Sequence, residues 1–101
     1  MTENRDSCDM HLVTLEKADS YRLDAGDFYI GYDKRGQLMM RGCLPNGVNF
    51  AIPLRPLIDP KINDGHSWQW DGNMDLPTLT PSVNCVEVWH GFITHGRMVS
   101  C

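Results

Sequence analysis

Turn-forming clusters interrupt this chain at short intervals, and they constrain its fold more than any other feature. They fall at Ala25-Gly26, Lys34-Arg35-Gly36, Pro45-Asn46-Gly47, the stretch "PLIDPKINDG" at 56–65, Asp71-Gly72-Asn73 and His95-Gly96. Glycine and asparagine supply the left-handed backbone that tight turns need, and proline fixes φ and removes a donor. Between the clusters stand short runs of alternating or β-prone residues. No segment keeps a 3.6-residue apolar period, apart from one turn of helix around residues 15–21. The pattern predicts an all-β fold, a small antiparallel sandwich or a partly open barrel with little or no helix.

Individual elements follow from the same signals. "FYIGYD" and "QLMMRGCL" read as a hairpin closed by Lys34-Arg35-Gly36, and "VNFAIPL" as a strand entered through Pro45-Asn46-Gly47. Pro53 cannot donate to a ladder, so this strand is expected at an edge or cut short. "HSWQW" reads as a short strand and "DGNMDLP" as a corner. "VEVWHGFIT" reads as one strand leading to a turn at His95-Gly96. Residues 1–10, "MTENRDSCDM", read as a flexible lead, and 11–101 as a single β domain.

Composition excludes several classes of function. The net charge is −4, with only 9 Lys and Arg. Phosphate backbones are bound by clustered cations, so no nucleic-acid partner is expected, and no anionic membrane surface either. No apolar run approaches the roughly 20 residues that span a bilayer. The polar first residues are unlike a secretory signal, and a cytoplasmic protein is expected, with cysteines that are reduced thiols or metal ligands. Oligomeric state is not legible.

Three groupings of residues could carry function. Alternation through "VEVWHGFIT" sets Val86, Val88, His90 and Phe92 on one face, which predicts His90 on an apolar face in need of a hydrogen-bond partner or a metal. Zinc takes Cys and His ligands in a tetrahedron, and Cys43, Cys85, His90, Cys101 and His66 are the candidate set. Cys85 and His90 are out of phase on a regular strand, so sharing an ion needs a bulge. A metal variant of the chemistry gives Glu87 the duty of base. Alternatively, "PTLTPS" is a stiff segment that presents a hydroxyl. Ser82 is then the nucleophile, with Thr80 behind it, His90 or His95 takes the proton, and Asp71 or Asp75 orients the imidazole. The bland reading makes these residues turn formers and a core histidine. Finally, Trp68 and Trp70 share a face and are expected to be anchored in the core, although aromatics rimmed by Asp71, Asn73 and Asp75 would also suit a protein interface.

"WQWDGNMDLPTLTPSV" followed by "WHGFITHGRMVSC" resembles a family of short phage and bacterial proteins. Its members share a Trp-x-Trp-Asn/Asp-Gly-Asn…Pro-Thr-x-Ser/Thr-Pro-Ser motif and a closing His-Gly/Ser-Phe…Gly strand. They are often mislabelled as ammonia monooxygenases and otherwise form an uncharacterised-domain family. Some relatives lie in bacterial operons for ubiquitin-like conjugation and antiphage defence, where they look like the peptidase component. The upstream "GDFYIGYDKRGQLMMRGCLPNG" and "IPLRP" also resemble the family, where a Cys-rich, zinc-like knuckle precedes Ile-Pro-Leu. The resemblance covers about residues 21–101 and implies a small hydrolase acting on an amide or acyl bond, with a protein or peptide as substrate. It implies Cys43 for the knuckle, Thr80 and Ser82 for the hydroxyl segment, and His90 for the histidine strand. The chain departs from the pattern where the knuckle shrinks to Cys43 and where Thr80 replaces a serine. The alternative is a non-catalytic, phage-encoded protein that binds or inhibits a host complex.

Overall fold

The computed structural model describes residues 7–20, 22–55, 67–85 and 89–100. Two four-stranded sheets share one core. The first runs β1 (Ser7–Asp9), β10 (Arg97–Ser100), β9 (Trp89–Thr94), β8 (Val83–Cys85), antiparallel throughout. The second runs β2 (His11–Leu12), β3 (Asp27–Tyr32), β4 (Leu38–Cys43), β5 (Asn49–Pro53), antiparallel except for the parallel β2–β3 pair. A small ribbon of β6 (Gln69–Trp70) and β7 (Leu79–Thr80) completes the strands, and α1 (Leu15–Asp19) is the single helix among the described residues. No described sheet closes on itself. The all-β expectation holds, in its sandwich form.

The expected hairpins form where the turn residues demand them. Gly36 and Gly47 adopt φ of 85° and 90°, the left-handed region that glycine enters without a Cβ clash. Strand β5 ends at Pro53 and lies at a sheet edge, the position left to a residue with no N–H. The helical turn runs over Leu15–Asp19, capped by the Thr14 hydroxyl accepting from the Lys17 N–H.

Both sheets contribute to the core. Phe28, Met40 and Leu54 from one half and Ile93, Met98 and Val83 from the other are almost completely buried. Each such side chain contributes about 1.5–3 kcal/mol by leaving water.

Three expectations are corrected. Residues 7–10 belong to the fold rather than to a flexible lead: Ser7, Cys8 and Asp9 pair with Val99, Met98 and Arg97, and Met10 is buried. "SCD" carries no apolar alternation because an edge strand needs few core-facing positions, so the sequence concealed it. "VEVWHGFIT" is not one strand. Cys85 and Trp89 face each other across an antiparallel pair, so the chain has reversed direction between them. The face assignment is also inverted. Trp89, Gly91 and Ile93 point inward, while His90, Phe92 and Thr94 are exposed. The phase of the alternation was right, but Val86 and Val88, which lie outside the described residues, made the wrong face look apolar.

One buried charge ties helix to sheet. The Asp27 carboxylate accepts from Lys17 Nζ at 2.9 Å and from the Asp24 N–H at 2.9 Å. Burial pushes the Asp27 pKa up, but the Lys17 ammonium and the Asp24 N–H outweigh it and hold the carboxyl below its ordinary value. A carboxyl depressed on folding contributes stability that is present above its unfolded pKa and is lost as pH falls through the folded value. Urea unfolding between pH 7 and pH 3 should therefore show the natural chain losing stability below about pH 4 more steeply than an Asp27→Asn variant. Parallel curves would show that Asp27 carries no such linkage.

Candidate active site

The corner that follows β6 is held by its own polar side chains. Asp71 Oδ1 accepts from the Asn73 N–H at 3.0 Å and the Thr78 N–H at 3.3 Å. Asn73 Oδ1 accepts from the Asp75 and Leu76 N–H groups at 3.0 and 2.9 Å. These are the side-chain-to-backbone bonds by which Asp and Asn close turns. The corner is also fastened to the β9–β10 turn. His95 N–H donates to Thr78 Oγ1 at 2.8 Å, and Gly96 N–H donates to the Pro77 carbonyl at 2.9 Å. Trp68 and Trp70 are half-buried against the core rather than enclosed by it. Each indole N–H finds a backbone acceptor: Trp70 Nε1 donates to the Asn73 carbonyl at 3.0 Å, and Trp68 Nε1 to the Ser82 carbonyl at 3.1 Å.

Ser82 therefore sits on a braced backbone, one residue ahead of β8. The register of β8 on β9 pairs Val83 with Gly91 and Asn84 with His90. Continued by one residue, it sets Ser82 across from Phe92, so Ser82, Asn84, His90 and Phe92 occupy four corners of one patch on the solvent side. Across the diagonal, Ser82 Oγ lies 3.1 Å from His90 Nε2. That is hydrogen-bond distance between a hydroxyl and a base able to take its proton. Phe92 is 49% exposed, and Val99, its register partner on β10, is 37% exposed, so the pair meets an apolar surface.

The other nominated residues lie elsewhere. Thr80 is exposed on β7 opposite Gln69 and makes no bond to a histidine among the described residues. Asp71 is committed to its turn, and Asp75 is exposed within it. Among the described residues no carboxylate reaches His90 Nδ1. His95 takes a left-handed φ of 49° as a turn residue. The sequence reading missed Asn84, whose relation to Ser82 and His90 appears only once the reversal between Cys85 and Trp89 is known.

Of the expected zinc ligands, only Cys43 and His90 have described side chains, and these two lie in different sheets. No cluster of three or more His, Cys, Asp or Glu side chains able to hold a metal occurs among the described residues. Cys43 is buried in the sheet opposite to that of His90, and its thiol donates to the Leu44 carbonyl at 3.6 Å. Burial, helped by the Asp27 and Asp24 carboxylates, pushes this thiol above its ordinary pKa. Cys85 stands opposite Trp89, out of phase with His90. His66, Cys101 and Glu87 lie outside the described residues. No helix among the described residues is long and apolar enough to cross a membrane.

A serine and a histidine in contact on a small β sandwich point toward acyl-transfer chemistry, and the family comparison bears on that point. The profile of the bacterial ubiquitination-like system serine proteases (BubE) matches residues 14–101. The chain belongs to this family. BubE membership agrees with the expected relation to the peptidase component of ubiquitin-like conjugation operons, and it implies a protein substrate or partner. No curated protein and no solved structure matches the chain.

Proposed function

We propose that this chain is a serine hydrolase that cleaves an amide or related acyl bond in the tail of a ubiquitin-like protein, with Ser82 as nucleophile and His90 as general base. The contact between Ser82 Oγ and His90 Nε2 at 3.1 Å carries this reading. In the acylation step Oγ forms a bond to the scissile carbonyl carbon while its proton passes to Nε2, and the carbonyl π electrons move onto oxygen. Collapse of the tetrahedral intermediate expels the amine, which takes the proton back from Nε2. Water, activated by the same imidazole, then releases the acyl group. Both side chains are accessible from solvent, as an enzyme acting on a flexible protein tail needs. A bacterial cytoplasm, with phage or an antiphage system as the source, is the setting that goes with this reading.

Chemical labelling tests it. An alkyl fluorophosphonate should add once to the purified protein, on the peptide that contains Ser82. Labelling should vanish in Ser82→Ala and persist in Thr80→Ala. Absence of any adduct on the natural protein would favour the non-catalytic binding reading instead.

A further inference from the structure

A serine and a histidine alone do not complete an acyl-transfer site, because the negative charge on the tetrahedral oxygen also needs a donor. We infer that Asn84 is that donor: its carboxamide Nδ2 hydrogen-bonds the oxyanion formed when Ser82 attacks. This inference rests on the serine-hydrolase reading above. Asn84 is the register partner of His90, and antiparallel partners project side chains to the same face with Cβ atoms about 4.5–5.5 Å apart. It also stands two residues after Ser82, so along an extended chain both point to one side of the sheet. The three side chains thus surround one point above the patch, with Oγ and Nε2 already in contact. Asn84 is exposed, and its carboxamide makes no hydrogen bond among the described residues. An amide paired within the fold would have to break that bond before serving a substrate, and among the described residues this one has none to break. The segment offers few competing donors. Pro81 has no N–H, and the Ser82 N–H, which likewise makes no hydrogen bond among the described residues, is the natural second donor. The four residues of the patch, Ser82, Asn84, His90 and Phe92, include no Lys or Arg that would otherwise meet the charge. As Oγ bonds to carbon and the carbonyl electrons settle on oxygen, the hydrogen bond from Nδ2–H to that oxygen shortens, and it relaxes again when the leaving group departs. The contact is stronger in the transition state than in the ground state, so its loss falls on kcat.

The test uses the full chain, p-nitrophenyl acetate as substrate and phenylboronic acid as a tetrahedral analogue that adds to the serine. In Asn84→Ala, kcat should fall roughly 10²–10³-fold with KM nearly unchanged, as when an oxyanion donor is removed. Phenylboronic acid should weaken by a comparable factor. Asn84→Asp, equal in size but with a carboxylate facing the oxyanion, should be no better than alanine. Thermal melting should be unchanged in both, since the side chain is exposed. Unchanged kcat in Asn84→Ala would overturn the inference and leave the hydrolase reading standing. So would a loss that appears only as a displaced pH–rate profile with boronate affinity intact, which would make Asn84 a positioning residue for His90. A natural protein that neither hydrolyses the ester nor binds the boronate would overturn both.

Discussion

Ser82→Ala and His90→Ala should each lower p-nitrophenyl acetate hydrolysis by roughly 10²–10⁴-fold, the usual worth of a nucleophile–base pair, while the double variant is no slower than the worse single one. The reason lies in the contact between them. His90 enters the acylation step through Nε2 on Ser82 Oγ, at 3.1 Å. Once the hydroxyl is gone, the imidazole has no proton to take, and once the imidazole is gone, the hydroxyl attacks as a weak nucleophile. Groups that work as one unit lose their function together. Kinetics of the two single variants and the double variant decide the matter. If the two losses multiply, Ser82 and His90 act independently and the 3.1 Å contact is incidental. Thr80→Ala belongs in the same series. Its hydroxyl lies on β7 with no histidine beside it among the described residues, so its rate should match that of the natural chain.

Residue chemistry and a family resemblance single out Ser82 and His90 in the sequence, but neither shows how the two side chains meet. The turns at Gly36, Gly47 and Gly96 were legible because each needs a left-handed backbone, and a glycine marks the place. The reversal between Cys85 and Trp89 had no such marker. "CVEVW" contains no Gly, Pro, Asn or Asp and reads as continuous strand. That single omission hid Asn84 and turned the histidine face inside out. It also changes the relation of two candidate ligands: on one strand Cys85 and His90 would need a bulge to meet, whereas the register sets Cys85 opposite Trp89 and His90 opposite Asn84. Short-range chemistry was readable because it is written in adjacent residues. Sheet partners are chosen by long-range packing, and 101 residues with two half-exposed sheets leave that choice weakly encoded in any one segment.

Gly91→Ala should cost more stability than any other single methyl group added near the site, and it should damage activity before the protein melts. Gly91 is buried in the middle of β9, paired with Val83 on one side and Ser100 on the other. A Cβ built there would collide with the Val99 carbonyl oxygen and would lie 2.5 Å from the Trp89 ring. Neither neighbour can give way cheaply. The carbonyl belongs to the backbone of β10, and the indole is buried in the core. Overpacking of this severity falls at the upper end of the usual range, about 3 kcal/mol, and each kcal/mol moves the melting temperature of a domain this size by roughly 4–8 °C. Melting should therefore fall by about 12 °C or more. The strain also reaches the site through the chain itself, because His90 is the preceding residue and its ring must stay within hydrogen-bond distance of Ser82. A displacement of about 1 Å can cost on the order of 10²-fold in rate, so ester hydrolysis measured well below the new melting point should already be depressed. An alanine variant that melts with the natural chain would show that β9 and β10 separate freely at this point. One that melts early yet keeps full activity in the cold would show that His90 holds its place independently of the strand that carries it.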